Sequence, residues 1–177
     1  MNKTFLLILI LIIFAGSFLV IKFFKSPDQK EKNQQNKEET ISGNLSGIKF
    51  FGEKGENLTL ENGEIKLDSL IFNDNKAHFY NVKMPLGKTI YFFVVKDKNG
   101  IYRAAANACA VCFKTYKGFR QEGDEIVCNN CGNRYPIEKI ATEKGGCNPG
   151  PINPNLSTQG DQIIIEQADI EQVAGLF

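Results

Sequence analysis

TIYFFVVKDKNGIYRAAANACAVC, residues 89–112, is the stretch that decides the fold. Within it Tyr91-Phe92-Phe93-Val94-Val95 is apolar enough to be a central strand. Asp97-Lys98-Asn99-Gly100 reads as a hairpin turn. The chain then returns as a strand from Ile101 to Ala106, which leads directly to Cys109.

Upstream of this hairpin, short β-rich runs alternate with turn residues. Ile48 to Phe51, Leu58 to Leu60 and Glu64 to Leu67 are punctuated by Gly47, Gly52, Gly55 and Gly63, and a further strand is expected from Ala77 to Met84. Downstream of the cysteines, Pro149, Pro151 and Pro154 forbid regular structure. Gln162 to Glu166 then reads as a strand. A short helix closes the chain, because Ile170, Val173, Ala174 and Phe177 stand at i, i+3, i+4 and i+7 and so share one face. The expected fold is mainly β with a C-terminal helix, an α+β domain spanning residues 41–177, with a cysteine-rich insertion ahead of the last strand.

The other end of the chain has a different texture. From Phe5 to Ile21 runs FLLILILIIFAGSFLVI, whose 17 uncharged residues would reach about 26 Å as a helix, close to the hydrocarbon thickness of a bilayer. A cleaved secretory signal would use the small residues Ala15-Gly16-Ser17, but the apolar run continues well past them. No cysteine lies here, which excludes a lipoprotein anchor, and a buried core helix would have to bury every face of a Leu/Ile/Phe helix inside a small domain. Residues 1–24 are therefore read as an uncleaved transmembrane anchor. Residues 25–40, KSPDQKEKNQQNKEET, contain no large apolar side chain and form a polar tether. Lys22, Lys25, Lys30 and Lys32 follow the anchor whereas Lys3 precedes it, a distribution that by itself would keep the domain on the cytoplasmic side.

Lys+Arg 21 against Asp+Glu 20 leaves a net charge of +1, so nothing in the charge calls for nucleic acid. The chemical signal is in the 5 cysteines, all between Cys109 and Cys147. Cys109-Ala-Val-Cys112 is followed by 15 residues and then Cys128-Asn-Asn-Cys131-Gly132. Two residues between thiols let one tight turn aim both sulfurs at a single ion, and two such knuckles supply a tetrahedral set. Gly132 suits a turn with positive φ just after the last ligand. Cys109, Cys112, Cys128 and Cys131 are thus the expected metal ligands, with structural disulfides or buried free thiols as the alternatives.

Such a set serves structural zinc, a single iron or an iron–sulfur cluster, and the spacing alone favours zinc. Covalent haem is excluded, because Phe113 and Gly132 occupy the positions where CxxCH needs histidine. A thiol oxidoreductase would want a CxxC opening a helix of a βαβ unit, which neither pair does. Cys147 stands in Gly145-Gly146-Cys147-Asn148-Pro149, where glycines let backbone N–H groups approach a sulfur closely. It is either an alternative or additional ligand, a thiol that meets a partner, or a loop cysteine without a role.

The segments ACAVC, KGFRQEGDEIVCNNCGNRYPI and GGCNPGPI, between Ala104 and Pro151, resemble the membrane iron–sulfur containing FtrD-like family of bacteria. The resemblance extends over about residues 41–177. It implies an iron–sulfur or related metal centre at the cell membrane, on the outer face, working with an iron-uptake system that includes an iron permease and a cupredoxin-like protein. It moves the expected metal from zinc towards iron. A single membrane segment departs from longer members and argues against a multispan electron conduit.

The remaining candidates are weaker. His78, the only histidine, falls in a strand-like run and is expected to be structural. Glu122, Asp124 and Glu125 beside Lys114, Lys117 and Arg120 read as a solvated loop of mixed charge. Phe113, Tyr116, Phe119 and Tyr135 flank the ligands, either shielding a cluster or simply packing around a small knuckle. No nucleophile–base set, phosphate-binding loop or acid/base pair is present, and no catalytic centre is expected.

Overall fold

The computed structural model describes residues 49–177; the expected anchor and tether lie outside them. Among the described residues no helix is long and apolar enough to cross a membrane. The strands in chain order are β1 (Glu56–Leu58), β2 (Glu64–Asp68), β3 (His78–Lys83), β4 (Thr89–Lys96), β5 (Tyr102–Cys109), β6 (Phe119–Glu122), β7 (Glu125–Cys128), β8 (Arg134–Pro136), β9 (Pro149–Asn153), β10 (Ser157–Gln159) and β11 (Gln162–Glu166). One α-helix, α1 (Gln167–Glu171), follows directly.

The unbroken apolar run of β4 has a physical reason: its strand is covered on both faces. A five-stranded sheet of order β1-β3-β4-β5-β9 lies at the centre of the fold. On one face Ile90, Phe92 and Val94 pack with Ile65 and Leu67 of β2 and with Ile163 and Ile165 of β11, which belong to the sheet β10-β11-β2. On the other face Phe93 and Val95 pack with Phe119, Ile126 and Cys128 of the sheet β6-β7-β8. Phe92 and Phe93 are both fully buried, and truncating either to Ala should cost about 3–5 kcal/mol. The same parity runs through β5, where Ala104 and Ala106 join the first core and Ala105 and Cys109 the second.

Small side chains on β5 let both flanking layers approach the sheet closely. The strand is antiparallel to β4, with Phe93 opposite Ala105, as expected of the hairpin. Its turn is held by Asp97, whose Oδ1 accepts from the N–H groups of Asn99 (2.8 Å) and Ile101 (3.0 Å). Asp97 Oδ2 accepts from both Arg103 Nη2 at 2.9 Å and Nε at 3.1 Å, a buried ion pair in which two guanidinium N–H groups share one oxygen. Arg103 Nη1 also donates to the Pro154 carbonyl, tying the hairpin to the chain beyond β9.

Four features differ from the sequence expectation. Pro149 to Asn153 is a strand despite its prolines, because β9 is an edge strand with β5 as its one neighbour, and a missing N–H is tolerated there. Its pairing is irregular, with register shifts on either side of Ala105↔Pro151. The run around Phe50 is not a strand; Phe50 is buried by stacking on Tyr91, with ring centroids 4.1 Å apart. The strand expected at Leu58–Leu60 lies at Glu56–Leu58 and pairs parallel to β3. The insertion is a three-stranded sheet, and Arg120, Glu122, Asp124 and Glu125 of the expected charged loop lie on its β6–β7 hairpin. The mainly β class and the closing helix agree with expectation: Ile170 and Val173 are buried in the first core, with Ala174 and Phe177 packed against it. A 3-10 turn at Ala174–Leu176, separate from α1, carries the end of that face.

Candidate metal centre

β5 runs without interruption into the first knuckle, so Cys109 inherits the core-facing parity of Ala105 and is 1% exposed. The chain then turns outward through Ala110 and Val111, Val111 being 62% exposed. Cys112 comes back towards Cys109, its N–H donating to Cys109 Sγ at 3.1 Å. A 3-10 turn at Phe113–Thr115 follows and ends at Tyr116 in the left-handed region.

The second knuckle grows from β7 in the same manner. Cys128 is the last residue of that strand and is 2% exposed. Its N–H donates to the Asn133 carbonyl, its carbonyl accepts from Gly132 N–H at 2.9 Å, and Gly132 has φ 76°, as the turn requires. Cys131 projects at the exposed tip.

These elements bring all five thiols together. Cys109, Cys112 and Cys147 form one group and Cys112, Cys128 and Cys131 another, the sulfurs of each lying within 4.8 Å of one another. The two CxxC pairs expected from the sequence do meet, but their four sulfurs are not one mutually close set; Cys112 is common to both groups. Cys147, left open by the sequence, sits in the cluster against the first knuckle. All are free thiols, so the disulfide alternative finds no bond here.

The electrostatics grade the thiols. Burial pushes the Cys128 thiol up, against the opposing pull of the Cys131 and Asn130 N–H groups. The Asn133 N–H lowers that of Cys131. Cys147 is pushed up to about 12, first by burial and then by the neighbouring sulfurs of Cys131 and Cys112. Metal uptake must therefore displace protons, and affinity should rise with pH.

The flanking residues divide clearly. Phe119 is buried between the knuckles and Tyr135 packs on the same core. Phe113 and Tyr116 line a narrow cleft beside Cys109, Cys112 and Cys128. His78 is remote from the thiols in role: its Nε2 pairs with Asp74 at 3.0 Å and its ring meets Phe72 edge-on. Glu122 pairs with Arg120 and Arg134, and Glu125 with Arg134, a charge ladder across the outer surface of β6, β7 and β8. Lys114 and Lys117 take no part in it among the described ion pairs.

Two asparagines were missed. Asn107 is fully buried; its Oδ1 accepts from Phe119 N–H at 2.6 Å and its Nδ2 donates to the Glu53 carbonyl at 2.8 Å. Because Phe119 pairs with Cys128 across β6 and β7, this one carboxamide braces the strand of the first knuckle against the strand of the second. Its signal was a polar residue inside the apolar run RAAANAC, on the parity of Cys109. Asn130 Nδ2 donates to Cys112 Sγ at 3.4 Å, a contact with no distinguishing mark in the sequence.

Among the described residues, both groups able to hold a metal consist of cysteine alone. Such a donor set is soft, and suits iron–sulfur clusters, single iron or zinc better than hard cations. An iron–sulfur group therefore fits these residues. Searches of curated proteins and of solved structures find no match. The FtrD-like family, described as membrane iron–sulfur containing proteins, matches residues 72–177, from Phe72 through all five cysteines to Phe177. With more than half of its length matched, the chain belongs to the membrane iron–sulfur containing FtrD-like family.

Proposed function

We propose that this protein is a membrane-anchored iron–sulfur protein that passes electrons or iron within a bacterial iron-uptake system. The observation that carries the reading is the convergence of five thiols at the edge of a rigid core, from two buried positions, Cys109 and Cys128, out to the exposed Cys131. Cys109, Cys112, Cys128 and Cys131 would hold the iron, with Cys147 beside them. A bound cluster would supply one-electron chemistry. The polypeptide's part is to fix the sulfurs on strand ends, to keep water from the inner side with Phe119, and to leave an outer edge at Val111 and Cys131 within reach of a partner.

An anchor at residues 1–24 and a tether at 25–40 would hold the domain of residues 41–177 at the outer face of the cell membrane. The partners are then an iron permease and a cupredoxin-like protein, with nucleic acid playing no part. The three-stranded β6-β7-β8 sheet with its knuckles is also how a zinc ribbon is built, and structural zinc is the competing reading. A thiol oxidoreductase is disfavoured by the 3-10 turn of three residues after Cys112, too short to act as a helix N-terminus.

The deciding experiment is anaerobic purification of the full chain in detergent, followed by iron, zinc and acid-labile sulfide analysis. Iron with sulfide, and visible absorption bleached by a reductant, is the expected result. Colourless protein holding zinc without sulfide would establish the ribbon instead.

A further inference from the structure

Five thiols converge where four would satisfy a tetrahedral ion, and they converge as two overlapping triads. Three sulfurs on one ion, each at about 2.3 Å from it, stand roughly 3.8 Å apart. Each triad has its sulfurs inside 4.8 Å of one another, at most about 1 Å beyond that spacing. The set of four made by the two CxxC pairs is not so gathered. Cys112 alone belongs to both triads.

We infer that the centre holds two metal ions bridged by the Cys112 thiolate, one bound with Cys109 and Cys147 and the other with Cys128 and Cys131. The inference rests on the reading of these thiols as metal ligands and adds the number of ions, the part of Cys147 and the special place of Cys112. Cys147 is then an integral ligand. Each ion has three protein sulfurs and one remaining position, suited to a sulfide, a water or a donor from a partner.

Charge favours the same count. Five thiolates with one divalent ion would leave three uncompensated negative charges in a site whose inner members are buried, and a second ion reduces that to one. The chain path supports it too. Cys109 and Cys112 approach from β5, Cys147 from the loop before β9, and β9 pairs with β5; Cys128 and Cys131 approach from β7 in a different sheet. Cys109 and Cys147 are thus supported by one sheet and Cys128 and Cys131 by another, with Cys112 close to both pairs.

The test is cobalt(II) titration of the full chain in detergent, made metal-free under anaerobic conditions and followed by visible absorption and electron paramagnetic resonance. Saturation at two equivalents is expected. The paramagnetic signal should grow over the first equivalent and fall over the second, as the two spins couple through the shared sulfur. Cys147→Ser and Cys131→Ser should each saturate at one equivalent, whereas Cys112→Ser should lose the coupled signal altogether. The wild-type titration stands even if a variant fails to fold.

Saturation at one equivalent, two equivalents with additive uncoupled signals, or full capacity in Cys147→Ser would overturn the two-ion centre while leaving a thiolate metal site in place. Four irons with four sulfides per chain in the native protein would likewise keep the iron–sulfur reading and remove this one. A chain that binds no cobalt would bring down both.

Discussion

Asn107 is the residue on which the relative position of the knuckles depends. Replacing it by Ala leaves the buried Phe119 N–H and the part-buried Glu53 carbonyl without their partner, which should cost about 1–3 kcal/mol. Urea unfolding of the metal-loaded protein measures this, and a loss under 1 kcal/mol, on the order of one ordinary hydrogen bond, would show the brace to be dispensable. Gly118 backs the same contact: a Cβ there would sit 2.5 Å from Asn107 Oδ1, and its φ is +62°. Gly118→Ala should therefore destabilise through both clash and left-handed strain. At Asn130 the effect would fall on a bound iron–sulfur cluster instead. Its N–H···S contact to Cys112 favours the more negatively charged reduced centre, so Asn130→Leu should move the potential to more negative values without unfolding the domain. Voltammetry that finds an unchanged or raised potential would contradict this. The cysteines were legible because their spacing is a local property. Asn130 was not, because an asparagine within a turn has many uses and its contact with Cys112 spans 18 residues.

Among the elements, the β4–β5 hairpin carries the greatest load, since both cores and the first knuckle are built on it. Its turn rests on the buried pair of Asp97 and Arg103. Asp97→Asn keeps the turn's acceptor geometry but leaves the guanidinium without its charge partner, and should cost about 3–5 kcal/mol. Burial alone would raise the Asp97 pKa, but the N–H groups of Ile101 and Asn99 and the Arg103 guanidinium together hold it below the ordinary carboxylate value. The sign follows: this stabilisation is complete above the unfolded carboxylate's pKa and is lost as pH falls below that value through the lower folded one. Thermal unfolding between neutral and acid pH should show the wild type losing its advantage over Asp97→Asn in that window. An advantage that is constant with pH would rule out the ion pair as its source.

The hairpin was readable in advance because an apolar run, a turn signal and a second run are consecutive. β9 was hidden for the opposite reason. Its prolines carry the ordinary signature of a loop, and only the non-local fact that it lies at a sheet edge beside β5 makes them acceptable. β1 lies two residues before its expected position, because a three-residue parallel pairing with β3 leaves almost no periodic pattern to read.

For the whole molecule, the two functions of the chain are expected to separate. A chain lacking residues 1–40 should be soluble and keep its metal, because both cores are complete within the described residues. Insolubility of that chain, with the full one folded in detergent, would put the boundary elsewhere. The layered build also accounts for the position of the centre: the middle sheet supplies Cys109 and the outer sheet supplies Cys128, and the thiols meet at their common edge. The most direct test of that account is iron-edge X-ray absorption of the full chain, purified anaerobically in detergent. A first shell of sulfur alone, at about 2.3 Å, is the predicted result; a shell containing nitrogen or oxygen in place of the thiolates, or protein that carries no iron, would contradict it.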